Sequence, residues 1–132
     1  TGADLRSADL GGAWMTATDL TGAVLGAATL AGTSMTRTCM READLTGAFA
    51  GGVDLRSAVL NGATIRAANL SGAILRGASL IGTDLSLSDL VGADLSEAQL
   101  DQVVLDGIRH DETTRWPDDF SPPSSGGLDD HD

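Results

Sequence analysis

Large aliphatic side chains recur at every fifth position of this chain, from Leu5, Leu10, Met15 and Leu20 through to Leu105, and the register never slips. Of the 21 positions in the series only Ala50 is not large. Two residues before each stands a small one: Ala3, Ala8, Ala13, Thr18, Ala23 and onward. A period of five suits neither regular element. On a helix each fifth residue advances by about 140°, so the leucines would wind around the cylinder instead of forming a stripe. On a strand five is odd, and successive leucines would face opposite sides. The conflict vanishes if the chain turns a corner once every five residues. Each short side then sends its central Leu and the small residue before it inward, and the other three residues face out.

Glycine marks the corners. In the slot two after Leu, positions 2, 12, 22 and onward by ten hold Gly in nine of eleven cases, whereas the interleaved set holds it in three of eleven. This slot is the third position of a turn begun at the Leu, where a type II turn has positive φ. Alternate corners are therefore expected to be type II, and the others to use a turn that tolerates side chains. Such an alternation needs an even number of corners per coil, and four sides of five residues is the smallest closed solution. Residues 1–107 then make about five coils, a rod roughly 25 Å long at a strand spacing of about 4.8 Å.

The phrase A-[D/N]-L-x-x, spelled here ADLRS, ADLGG, ADLTG, ANLSG and ADLSE, resembles the repeat of the pentapeptide-repeat family over about 105 of the 132 residues. That resemblance implies an all-β fold, a right-handed quadrilateral parallel β-helix, and supplies a handedness that spacing alone does not.

The series stops after Leu105, since the next position in register is His110 and no inward residue is expected to follow. An open coil end exposes apolar core and unpaired edges, so it has to be covered. Ile108, Trp116 and Phe120 supply apolar cover, which assigns 108–120 to a capping segment. Its TRWPDDF stretch resembles the T-x-W-P-x-x-F segment that closes bacterial arrays of the family. Residues 121–132, made of Pro, Ser, Gly and Asp with little apolar, read as a disordered acidic tail. The opposite end has no such lid. Further residues, another domain or a second copy of the chain would cover it, the last giving a homo-oligomer through a coil end. Within the array Ala50 leaves room for a larger side chain, as a local irregularity that Phe49 leans over or as a small ligand pocket.

Composition narrows the function. Aromatics are 3% of the chain and Tyr is absent, so the core must be built from small aliphatics. No apolar run approaches the roughly 18 residues that span a bilayer, and no signal peptide is recognisable. The single Cys39 excludes an internal disulfide and suits a reducing, bacterial cytoplasm. A net charge of −11 argues against direct nucleic-acid binding.

Catalytic constellations are missing. His110 and His131 lie outside the array, Cys39 has no His placed near it, and no G-K-[ST] follows any of the spaced glycines. Aspartates before Leu, such as Asp4, Asp44 and Asp84, read as solvated or ladder-forming side chains and not as metal ligands. No enzyme, cofactor or metal is expected. The expected function is a non-catalytic scaffold, a module that presents a rigid surface to a protein partner. Trp14, Phe49, Arg56, Ile74 and Arg76 are its candidate contacts.

The resemblance implies an alternative, a DNA-mimicking protein that binds DNA gyrase or another topoisomerase and is linked to antibiotic resistance. Residues 1–105 hold eleven acids and six arginines, a net of five negatives. Over the rod that is about one per 5 Å, against about one per 1.7 Å in duplex DNA. The resistance proteins of the family also favour Phe in the central slot, where this chain has none. The scaffold reading is preferred.

Overall fold

The computed structural model describes residues 2–123, and the chain over them is a solenoid. Its ladders are parallel bridges between residues 20 apart: Asp4 pairs with Val24, Val24 with Asp44, Asp44 with Thr64, Thr64 with Asp84 and Asp84 with Val104. Three more ladders run from Asp9, Trp14 and Asp19, which gives four sides and one coil per 20 residues. Each side contributes one bridged residue and no extended strand, so the structure is β only in its single-residue bridges. Backbone bonds tie each coil to the next on both flanks of the bridge. The Val24 N–H donates to Ala3 O and the Leu25 N–H to Asp44 O, both at 2.7 Å.

The corners differ from the expected alternation. All are alike in the slot two after Leu: twelve glycines there have φ of 64–75°, and ten other residues, from Ser7 to Gln102, have φ of 54–63°. The turns are closed by bonds such as Ala8 N–H to Leu5 O at 3.0 Å, except that the Ala68 N–H donates to Ser88 Oγ at 3.2 Å. Space does not dictate glycine, because a Cβ added at Gly12 or Gly52 would meet nothing within 4 Å. The glycine relieves backbone strain of about 1–2 kcal/mol per left-handed residue, which other side chains also tolerate here. The 20-residue coil stands, although the alternation from which it was reasoned does not.

Leu25, Leu30, Met35, Met40, Leu45 and their successors to Leu95 stack down the axis with exposures of 0–1%. In the small slot, Thr or Ser sometimes replaces Ala, and where it is buried its hydroxyl is paired. Thr33 donates to Leu10 O at 2.8 Å, Thr83 to Leu60 O at 2.7 Å and Ser88 to Ile65 O at 2.5 Å, each time reaching the coil before. Ala50 is buried at 1%, and Val53, the next inward residue round the corner, is 0% exposed where most coils have Ala. Volume lost at one slot returns at its neighbour. Phe49 bridges Thr29 and Asn69 and stands 55% exposed, so its ring does not fill the core.

The ladder runs past Leu105 into the segment assigned to the cap. Asp89 pairs with Arg109, and after one extra residue Asp94 pairs with Arg115. Ile108 is fully buried, and Thr114 points inward to donate to Leu90 O at 2.9 Å. Inward residues therefore do follow Leu105. Trp116 and Phe120 then pack half-buried on the core, their rings stacked at 5.2 Å and 25°. His110 meets Trp116 edge-on at 5.4 Å, and its Nε2 lies 2.6 Å from Pro123 O. At the other end Leu5, Leu10 and Met15 of the first coil are only partly buried. The tail expected over 121–132 lies, beyond Pro123, outside the described residues.

Candidate interaction surfaces

The outward residue before each Leu does two things: it carries the bridge, and where it is Asp or Asn it fastens the next corner. Asp44 Oδ1 accepts from the Thr46 N–H at 3.0 Å and from the Thr46 hydroxyl at 2.6 Å. Asp19, Asp84 and Asp94 do the same with Thr21, Ser86 and Ser96, and Asn69 with Ser71. Where the second residue on is Arg, the carboxylate takes the guanidinium as well: Asp4–Arg6 and Asp54–Arg56 are two-pronged pairs with contacts of 2.7 and 2.9 Å. These aspartates are not simply solvated. They are side-chain turn locks. The hydroxyl bonds hold the carboxyls of Asp19, Asp44, Asp84 and Asp94 below the usual carboxylate range, and Arg56 does so for Asp54. Arg6 holds that of Asp4 down at about 2.

The side carrying Trp14, Ser34, Asp54, Ile74 and Asp94 is one ladder. Trp14 is 90% exposed at its first-coil end, whereas Ile74 is only half-buried among its neighbours. Phe49 lies on the adjacent side, between Thr29 and Asn69. Arg56 and Arg76 are exposed and stack at the corner that follows the Trp14 side, the Ser57 N–H donating to Arg76 O at 3.0 Å. Arg56 is taken up by Asp54, and Arg76 lies 3.6 Å from Glu97. The candidate contacts are thus spread over two sides and a corner, and do not converge on one patch.

Two features lie outside the candidate contacts named from the sequence. Leu87 and Val104 are exposed apolar residues near the capped end. Leu87 holds φ of 63°, and its side chain lies where a Cβ on Gly107 would come within 2.8 Å of it. An open cleft of about 760 Å³ runs between the last coil and the cap, floored by Ile81, Ala98, Leu100 and Phe120 and edged by Asp101, Asp118 and Asp119. The signal for it was the cluster of acids around the aromatic segment, which the count of rod charge did not resolve.

Cys39 is half-buried, with Sγ 3.4 Å from the Thr21 hydroxyl and 3.3 Å from an Arg41 nitrogen. Those contacts, Thr21 first, pull its thiol below the ordinary range. Among the described residues no group of three or more His, Cys, Asp or Glu is placed to hold a metal ion, and no helix is long and apolar enough to cross a membrane.

The fold and the repeat have known relatives. A pentapeptide-repeat protein of the Arabidopsis thaliana thylakoid lumen is 32% identical, covering 74% of this chain and 68% of its own, with a TM-score of 0.73. A pentapeptide-repeat protein of Nostoc PCC 7120 is 30% identical over 74% of this chain and 77% of its own, with a TM-score of 0.62. HetL from Nostoc sp. strain PCC 7120, a pentapeptide-repeat protein involved in regulating heterocyst differentiation, is 31% identical over 82% of this chain and 60% of its own, at 0.53. No curated protein matches the chain, and no enzyme family is indicated. The family model for pentapeptide repeats matches eight copies, over residues 1–22, 15–47, 38–77 and 68–107. The chain belongs to the pentapeptide-repeat family.

Proposed function

We propose that the chain is a non-catalytic scaffold, wound as the right-handed quadrilateral β-helix of its family, which presents outward side chains on fixed coils to a protein partner. One observation carries this reading. Trp14 is a large aromatic left 90% exposed on a ladder, in a first coil whose Leu5, Leu10 and Met15 are only partly covered. Leaving such a side chain in water forgoes roughly 2–3 kcal/mol of burial, and aromatic anchors of this kind dominate protein interfaces. The ladder beneath it is bonded coil to coil, so little ordering entropy would be lost on binding.

A photoreactive phenylalanine analogue at position 14, compared with one at Thr64 on a different side, tests this in the cell of origin. The reading expects a discrete crosslinked product from position 14 and none from 64. Equal crosslinking at both, or at neither, would count against it. A product containing only this chain would identify the partner as a second copy.

The DNA-mimic alternative fits less well. Asp4, Asp54, Asp84, Asp89 and Glu97 each face an arginine, so much of the rod's negative charge is locally offset.

A further inference from the structure

Two corners of the array carry the dipeptides most open to ring closure by their own backbone: Asn61–Gly62 and Asp106–Gly107. In a flexible peptide the glycine nitrogen attacks the side-chain carbonyl before it, because glycine offers no steric hindrance. Asn reacts faster than Asp, since ammonia leaves its tetrahedral intermediate more readily than water leaves that of the acid. Sequence therefore ranks Asn61 first.

The fold reverses that order. The Gly62 N–H is engaged in the ladder, donating to Ile81 O at 3.0 Å. The Asn61 side chain is held too, its Oδ1 accepting from the Ser79 hydroxyl at 2.5 Å. Attack would have to break both bonds, which tie this corner to the following coil. At the other corner the N–H of Gly107 makes no hydrogen bond among the described residues, whereas the equivalent N–H of every corner from Gly2 to Leu87 donates to the coil above. The corner is also slack. Its closing bond, Ile108 N–H to Leu105 O, is 3.4 Å long, against 2.9–3.2 Å elsewhere in the array. Asp106 and Gly107 are both exposed, and the Asp106 carboxyl makes no hydrogen bond or ion pair among the described residues.

We propose that Asp106–Gly107 is a site of spontaneous isoaspartate formation in the folded protein, and that the ladder protects Asn61–Gly62. The Gly107 nitrogen bonds to Asp106 Cγ and loses its proton as the carboxyl loses hydroxyl, releasing one water and closing a succinimide. One water then reopens the ring. Attack at Cγ restores aspartate, and attack at the main-chain carbonyl leaves the backbone running through the side chain as isoaspartate. The atoms balance with no other reactant. The product has one more backbone atom two residues before the buried Ile108, where the chain enters the cap.

The test is long incubation of the full chain at neutral pH, folded and in concentrated urea. It is followed by peptide mapping with electron-based fragmentation, and by labelling with an isoaspartate-specific carboxyl methyltransferase and a radioactive methyl donor. The expected result is isoaspartate at 106 ahead of deamidation at 61 at every time point in the folded chain, with the order reversed in urea. Asp106→Glu should abolish the methyl acceptance of the folded protein. Deamidation at Asn61 keeping pace in the folded chain would overturn the proposal. So would aspartate persisting at 106 for as long as the unfolded chain takes to isomerise there.

Discussion

At the scale of single residues, the aspartate before each leucine acts on the backbone two residues ahead. Asp44 receives two bonds from Thr46, and Asn69 makes the same pair with Ser71, so the corner requires an acceptor and not a charge. Asp44→Ala should therefore cost about 1 kcal/mol, the size of a lost helix cap, while Asp44→Asn should cost clearly less. Chemical denaturation of the two variants checks this, and equal losses would refute the turn-lock role. The charge shows itself in pH dependence. Asp4, Asp19, Asp44, Asp54, Asp84 and Asp94 all have carboxyls depressed in the folded state. A depressed folded value contributes stability above the unfolded value, near 3.9, and loses it as the pH falls through the folded one. Melting temperature should thus hold level down to about pH 4 and fall steadily toward pH 2, the position to which Asp4 is held. A melting temperature that rises on acidification would contradict this assignment.

Among the elements, the side of the coil was legible and the corner was not. The five-residue count placed the inward residues from Leu20 to Leu100 correctly, because burial of a Leu column is worth far more than any local preference. Glycine misled in the corners. It reports where left-handed backbone is cheapest, yet Arg37, Glu42 and Leu87 adopt the same φ, held there by ladder bonds on both flanks. The final coil was missed because one extra residue before Thr114 breaks the count, although the ladder absorbs it.

Ala50 looked like a gap for the same reason, since Val53 lies in a different slot of the repeat. Ala50→Leu should now overpack the coil by about 1–3 kcal/mol. Adding Val53→Ala should recover most of that loss, a coupling expected of neighbours and measurable by a double-mutant cycle. Additive effects would show the two sites to be independent. At the cap, Trp116 is half-buried between His110 and Phe120. Trp116→Ala is expected to lose about 2–3 kcal/mol, below the full cost of deleting a buried aromatic. It should also expose an edge that associates. An unchanged melting temperature and monodisperse behaviour would rule out a capping role for this ring.

For the molecule as a whole, charge and shape point to different functions, and the residue-scale pairing favours shape. A rod that imitates duplex DNA needs unneutralised carboxylates along the path of the phosphates. Here five of the acids face arginines, and Arg56 and Arg76 stack midway along one corner. Such surface pairs add little stability, but they do weaken the field that would steer a DNA-binding enzyme onto the rod. The coils also carry large apolar side chains that are individually exposed: Trp14, Phe49, Leu87 and Val104. Binding through these should be nearly insensitive to salt, whereas mimicry should weaken steeply as ions screen it. The most direct measurement is inhibition of DNA gyrase supercoiling by residues 1–132 at micromolar concentration and low salt, where electrostatic binding is strongest. A rigid scaffold of this composition predicts no inhibition. Inhibition that survives removal of residues 121–132 and disappears on adding salt would contradict it.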